Sequence, residues 1–182
     1  MLHAARLYLH EHAARYEGAA AQFVAPEQVH LTLHFLGNVS ARDLPETIES
    51  IDRAKKGLHA FALAPGEIIA LPQSARRQRP RLIAIETDAP ADLLELQRRL
   101  AQRFARPARE KPGDRFLPHI TLARFRWSGG GEPLEHPAWK GPIERPPTPS
   151  PFDVSEFHLV KSVLGFDGAV HQTIAKWPLV VK

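Results

Sequence analysis

The chain has 182 residues, of which 43% are hydrophobic and 24% are charged, and its formal net charge is +4. This composition is typical of one globular domain and excludes a disordered chain. No apolar run approaches the ~18 residues that a membrane span needs. The lack of cysteine excludes disulfides, thiolate metal sites and a cysteine nucleophile. The first residues do not read as a signal peptide, so we expect a cytoplasmic protein without membrane contact.

Apolar residues at helical spacing predict three helices. Near the amino terminus they are Leu2, Ala5, Leu9, Ala13 and Tyr16. A helix over about residues 41–56 has Leu44, Ile48 and Ile51 on one face, with Ser40 or Asp43 as its cap. A helix over about residues 90–106 carries a stripe made of Leu93, Leu96, Leu100 and Phe104.

Short runs of β-forming residues lie between and after these helices. They cover residues 61–63, 81–86, 157–160 and 171–181. Helices and strands therefore mix along the chain without regular βαβ spacing, which predicts an α+β fold with antiparallel sheets.

Two segments of the sequence share one pattern. Residues 30–37 read HLTLHFLG and residues 119–124 read HITLAR. In a strand, alternate side chains point to opposite faces, so His30 and Thr32 would share one face, and so would His119 and Thr121. A single His-x-Thr is typical of a solvated strand face, but two matching copies indicate a functional site.

Paired histidines suit displacement at phosphorus, in which the attacking and leaving oxygens lie in line on opposite sides. One histidine can accept a proton while the other donates one, because the unperturbed pKa of imidazole is about 6.5. The two threonine hydroxyls can donate hydrogen bonds to the non-bridging oxygens. This chemistry requires no metal or other cofactor, and the residues alone leave open which histidine is the acid.

On these residues the chain resembles the 2H phosphoesterase superfamily, and most closely its bacterial and archaeal RNA 2′,3′-cyclic phosphodiesterase branch, the 2′-5′ RNA ligase family. The resemblance covers about residues 22–182. It rests on QFVAPEQVHLTLHFLG at 22–37, on FLPHITLAR at 116–124 and on the pattern over residues 157–179.

The resemblance implies one bilobal domain over residues 1–182, with two antiparallel sheets facing a central groove, pseudo-two-fold symmetry and helices outside. It implies hydrolysis of RNA 2′,3′-cyclic phosphate ends to 2′-phosphates. His30 would donate a proton to the departing 3′ oxygen, and His119 would activate water. Thr32 and Thr121 would bind the phosphate.

The motifs alone do not place three further parts of the sequence. Arg124 lies an odd number of positions from His119, so strict alternation points it away from the site unless a bulge brings it round. The resemblance places a phosphate-binding arginine there. His34 either lines the groove or is a bystander. His30 comes early for the family, so either residues 6–9 are the remnant of an opening strand or the chain begins in a helix, which the helical spacing favours.

An arginine-rich run over residues 74–81 is a possible RNA contact, because its guanidinium groups suit phosphates. Its candidate residues are Arg76, Arg77 and Arg79, and a solvated loop with nothing bound is the alternative. We expect a monomer that acts on RNA ends or small cyclic nucleotides. Three alternative functions stay open: 2′-5′ RNA ligation, hydrolysis of another small cyclic nucleotide phosphate, and RNA binding without catalysis.

Overall fold

The computed structural model describes residues 19–71, 81–105, 116–127, 150–165 and 168–181. It contains two helices, α1 (Leu44–Lys55) and α2 (Ala91–Arg103), within these ranges. The strands are β1 (Ala19–Phe23), β2 (Phe61–Leu63), β3 (Pro65–Leu71), β4 (Leu82–Thr87), β5 (His119–Trp127), β6 (Phe152–Val154), β7 (Glu156–Gly165) and β8 (Gly168–Pro178). All paired strands are antiparallel, which confirms the predicted α+β class with antiparallel sheets.

The described residues fall into two compact units, each assembled from separate stretches of the chain. The first unit is a four-stranded sheet in the order β1-β5-β4-β3. One face of this sheet is apolar, and its buried side chains include Ile83, Ile85, Ile120 and Ala123. Directly opposite residues of an antiparallel pair project to the same side, so the register gives the sheet a second face, on which polar residues gather.

The second unit contains both helices and the remaining strands. Its strands form two two-stranded sheets, β2 with β6 and β7 with β8, so the described residues form three sheets where the resemblance implies two. An isolated parallel bridge between His59, before β2, and Val180, after β8, links the two sheets. The core of the unit includes Leu96, Leu100 and a stacked pair, Phe157 and Trp177, whose ring centroids are 5.4 Å apart.

Both helices form where the apolar spacing predicts them, one to three residues shorter at each end. Before α1, the Ser40 hydroxyl donates to the Asp43 carboxylate over 2.7 Å and accepts the Asp43 backbone N–H. Pro45 lies in the first turn, where a missing N–H costs nothing. On α2 the three buried residues are the predicted leucines Leu93, Leu96 and Leu100. On α1 the buried residues are Thr47, Ile51 and Ala54, so only Ile51 of the predicted stripe is fully buried.

Arg99 fastens α2 to the end of α1. Its Nη1 donates to the backbone carbonyls of Ala54 and Lys56 over 3.0 and 2.8 Å, and these carbonyls have no partner within α1. Its Nε donates to Glu95, which also accepts from Arg98. These hydrogen bonds, that of Arg98 first, lower the pKa of Glu95 to about 2.

The sequence predicts some of the observed strands and misses others. The four predicted strand runs are confirmed as β2, β4, β7 and β8, whereas β1, β3 and β6 carry no clear β pattern in the sequence. The predicted helix near residues 2–16 and the alternative strand at residues 6–9 lie outside the described residues. None of the described helices is long and apolar enough to cross a membrane.

Two leucines on α2 provide a matched test of this packing. Leu96 is 1% exposed and Leu94 is 42% exposed. Leu96→Ala should lower the free energy of unfolding by about 2–5 kcal/mol, because it leaves a cavity in the core. Leu94→Ala should change it by only about 0.5 kcal/mol. Urea titration of both variants checks this, and equal losses would show that α2 does not bury its leucine stripe.

Candidate active site

The two His-x-Thr segments meet at one antiparallel bridge, between Leu31 and Ile120. Facing residues step in opposite directions along such a pair, so the bridge directs His30 toward Thr121. Ile120 is 5% exposed, whereas His30 is exposed and Thr121 half-buried. The bridge therefore aligns His30 with the second motif on the face away from the apolar one.

The first motif is not the regular strand that the sequence predicts. Phe23 of β1 pairs with Ala123, and the next pairing to β5 is Leu31 with Ile120. From Phe23 to Leu31 the first segment covers eight residue steps, whereas β5 covers only three between Ala123 and Ile120. The first segment therefore has five extra residues, which loop out of the pairing. A 3₁₀ turn over Pro26–Gln28 takes up part of this length. Proline supplies no N–H to a sheet, which explains why the strand is interrupted here.

This turn also orients the His30 ring. Its Nδ1 lies 2.7 Å from the backbone carbonyl oxygen of Gln28, the last residue of the turn. A carbonyl oxygen only accepts, so Nδ1 carries a hydrogen and donates it. Nε2 is then the ring nitrogen that can exchange a proton with a bound molecule. Thr32 follows two residues later, is half-buried and is the first residue of the second unit.

A β-bulge decides where Arg124 points. In the ladder with β4, Thr121 pairs with Ala84 and Ala123 pairs with Ile83, so Leu122 is an extra residue in β5. The extra residue reverses the alternation beyond it. His119, Thr121 and Arg124 consequently lie opposite Glu86, Ala84 and Leu82, which alternate along β4 and share one face. Arg124 is exposed on the same face as the second motif, despite its odd spacing from His119.

Glu86 is a polar residue of this face that the sequence reasoning missed. It is half-buried and lies directly opposite His119 in the register. The signal was present, because residues 81–86 were a predicted strand that ends in a glutamate. What was missing was the pairing of that strand with the second motif. Gln22 of β1 adds an amide to the face, since it pairs with Arg124.

Other candidate residues lie elsewhere. His34 belongs to the second unit, where its ring stacks on Phe104 with centroids 6.4 Å apart. Arg76, Arg77 and Arg79 lie outside the described residues. Across the described ranges, His, Asp and Glu side chains nowhere gather in a group of three that could hold a metal ion.

The polar face of the first unit thus carries His30, His119, Thr121 and Arg124. Two imidazoles can exchange protons near neutral pH, a hydroxyl can donate a hydrogen bond, and a guanidinium supplies fixed positive charge. A phosphate group matches this set, because its oxygens accept hydrogen bonds and carry negative charge.

Known proteins share sequence features with this chain. The sequence profile of the 2′-5′ RNA ligase superfamily matches residues 4–165. A protein of Thermotoga maritima named RNA 2′,3′-cyclic phosphodiesterase is 26% identical over 110 residues. That match covers 60% of this chain and 57% of the relative, so it spans little more than half of the relative's length.

Solved structures share the fold across almost the whole chain. The protein TT0787 of Thermus thermophilus is 25% identical, with a TM-score of 0.68 over 98% of this chain and 89% of that protein. LigT of E. coli, crystallised with 3′-AMP, is 23% identical, with a TM-score of 0.63 over 99% of this chain and 93% of LigT.

The hydrogen bond of His30 predicts its tautomer. Neutral His30 should carry its hydrogen on Nδ1, which is the less common form in water, because the Gln28 carbonyl can only accept. Long-range ¹H–¹⁵N spectra above about pH 8, where imidazole is neutral, read this directly. His158 is the internal control, because its Nε2 lies 2.7 Å from Glu156 Oε1 and should keep the hydrogen on Nε2. A hydrogen on Nε2 of His30 would contradict the described geometry.

Proposed function

Because the chain belongs to the 2′-5′ RNA ligase superfamily, we propose that it is a metal-independent RNA 2′,3′-cyclic phosphodiesterase that leaves a 2′-phosphate. The observation that carries the proposal is the Leu31–Ile120 bridge, which aligns His30 with the strand of His119 and Thr121. Two comparisons support a phosphate ester as substrate. The Thermotoga maritima relative is named RNA 2′,3′-cyclic phosphodiesterase. E. coli LigT was crystallised with 3′-AMP and, in another crystal, with phosphate.

In the proposed reaction, His119 takes a proton from water while the water oxygen attacks phosphorus. The bond between phosphorus and the 3′ oxygen breaks, and His30 gives its Nε2 proton to that oxygen. The products are a 3′-hydroxyl and a 2′-phosphate, so atoms and charge balance. The Nδ1 hydrogen bond of His30 supports its part, because it persists in both protonation states and leaves only Nε2 to exchange a proton.

The phosphate would be held by Thr32, Thr121 and Arg124. Hydroxyl hydrogen bonds and guanidinium charge stabilise the non-bridging oxygens, where negative charge stays throughout the displacement. The Leu122 bulge supports the inclusion of Arg124, since it turns that side chain to the face of Thr121. Thr32 is included because it is the threonine of the first His-x-Thr motif. The groove with pseudo-two-fold symmetry, the monomeric state and the cytoplasmic location stay predictions.

The family name keeps 2′-5′ RNA ligation as the second candidate, and hydrolysis of another small cyclic nucleotide phosphate as a third. Ligation is the same displacement with a ribose hydroxyl of the acceptor RNA in place of water: the P–O bond to that hydroxyl forms, the bond to the 3′ oxygen breaks, and the same residues would serve. Incubation with a 2′,3′-cyclic-phosphate oligonucleotide, alone and with an acceptor RNA, separates the first two. RNA binding without turnover is disfavoured because both motifs keep their histidine and threonine.

Removal of either histidine tests the acid–base roles. His30→Ala and His119→Ala should each lower turnover of a 2′,3′-cyclic nucleotide by about 10²–10⁴-fold, while binding weakens less. His59→Ala is the matched control, because His59 is half-buried like His119 but its Nδ1 lies 3.8 Å from Asp92 in the second unit. Near-normal turnover in either motif variant would overturn the mechanism. A 3′-phosphate product would overturn the assigned cleavage.

Two arginine variants separate the reaction site from a wider RNA contact. Arg124→Ala should raise the KM for cyclic mononucleotides and oligonucleotides alike, because each presents the same phosphate. Neutralising Arg76, Arg77 and Arg79 together should weaken only oligonucleotide binding and flatten its salt dependence, by about 0.7 in log–log slope per lost phosphate contact. Binding titrations at several salt concentrations check both. Equal losses on the mononucleotide and the oligonucleotide would instead implicate the arginine run in the reaction site or in stability.

A further inference from the structure

The carboxyl-terminal half of α2 carries three arginines, Arg98, Arg99 and Arg103, which we call the α2 arginine cluster. Together with Gln102, these side chains line a depression of about 420 Å³. Residues four apart on a helix have Cβ atoms about 5–6 Å from each other. Arg99 and Arg103 therefore form one row along the depression, and Arg98 and Gln102 form the row beside it. All four residues belong to the second unit.

Glu95 orients two of the three guanidinium groups. Its carboxylate accepts hydrogen bonds from Nε and Nη2 of Arg98 and from Nε of Arg99, each over 2.7 Å. Because these bonds lower the pKa of Glu95 to about 2, that of Arg98 first, its carboxylate is ionised at neutral pH. Glu95 engages only two of the five N–H groups of Arg98, so this pairing leaves the other N–H groups of Arg98 able to donate.

The cluster keeps positive charge after this pairing. Residues 95–103 contain three guanidiniums against one carboxylate, which gives a net charge of +2. Within the described part of the chain, the ion pairs of α2 involve Arg98 and Arg99 but not Arg103. Lys56, an exposed cation at the end of α1, lies next to the cluster, because Arg99 donates to its backbone carbonyl over 2.8 Å.

Helix packing and helix stability account for only part of the cluster. Arg99 links α2 to the end of α1, so it has a structural role. A cation in the last turn stabilises the helix dipole, which accounts for Arg103, but this effect falls off beyond that turn. Arg98 lies more than one turn from the end of α2, and its side chain is 53% exposed.

We propose that the α2 arginine cluster binds phosphates of single-stranded RNA. The identity of the partner rests on the proposed function, which makes RNA the substrate, whereas the charge of the cluster does not. Guanidinium groups suit phosphates because they carry fixed charge and donate parallel hydrogen bonds to two oxygens. The contacts are made to the RNA backbone, so they raise the affinity for oligonucleotides of any sequence.

The direct test is the double variant Arg98→Gln with Arg103→Gln, which keeps Arg99 because that residue links the helices. Binding is measured by fluorescence anisotropy with a single-stranded RNA of about 12 nucleotides. The RNA ends in a 3′-hydroxyl, so binding is read without turnover. Each lost phosphate contact should weaken binding about fivefold at about 0.1 M salt and lower the log–log salt slope by about 0.7. The difference should disappear near about 1 M salt.

The matched control is the double variant Arg42→Gln with Arg53→Gln. It removes the same charge from exposed arginines of the same unit, and the side chain of Arg53 is 54% exposed. This control should bind RNA as the unaltered protein does. Gln102→Arg is a second variant, which adds a guanidinium to the depression and should tighten binding about fivefold at about 0.1 M salt. It tests the proposal even where the first double variant fails to fold.

The outcomes separate this proposal from the proposed function. No RNA binding by the unaltered protein, unchanged binding by the first double variant, or equal losses in the two double variants would overturn the role of the cluster. So would a poly-glutamate peptide that competes as well as RNA of equal charge, because it would assign the cluster to an acidic protein. Turnover of a 2′,3′-cyclic mononucleotide by the unaltered protein is a separate readout. Its absence would overturn the proposed function and leave the measured RNA binding in place.

Discussion

Strand β5 has to pair along both edges while turning its polar side chains to one face, and the first unit is arranged around that constraint. Its β4 edge is continuous apart from the Leu122 bulge, and its other edge is shared between β1 and the Leu31 bridge. The bulge meets both requirements, because β5 stays paired with β4 on either side of it while the side chain of Arg124 turns to the face of Thr121. The buried residues on the opposite face, including Ile85 and Ile120, hold the strand in this register.

The polar face combines groups whose charges work against one another. Arg124 favours an anion and Glu86 disfavours it, whereas each histidine adds positive charge only when it is protonated. Such a face has little net charge of its own, so proton movement within it changes the local field substantially. On α2, Arg98 and Arg99 lower the pKa of Glu95 to about 2, and Arg99 links this helix to the end of α1.

How far the sequence predicts this structure depends on the kind of pattern. Helices α1 and α2 were predictable because their apolar residues recur at helical spacing over three turns. Strand β1 reads AAAQF and β3 contains proline and glycine, so neither carries a β pattern, and the sheet context creates them. The histidines and threonines were found because their motif is doubled. The orientation of Arg124 and the place of Glu86 were not predictable, since register and bulges are properties of paired strands.

The interleaving of the two units has a consequence for synthesis of the chain on the ribosome. Strand β1 can pair only once Ala123, a hundred residues after Phe23, has been made, and Leu58 and Ala60 bond to Val180 near the end of the chain. Neither unit can therefore close while its last segment is still inside the exit tunnel. Until these segments have been made, the nascent chain carries unpaired strands and exposed apolar residues, which favours slow folding.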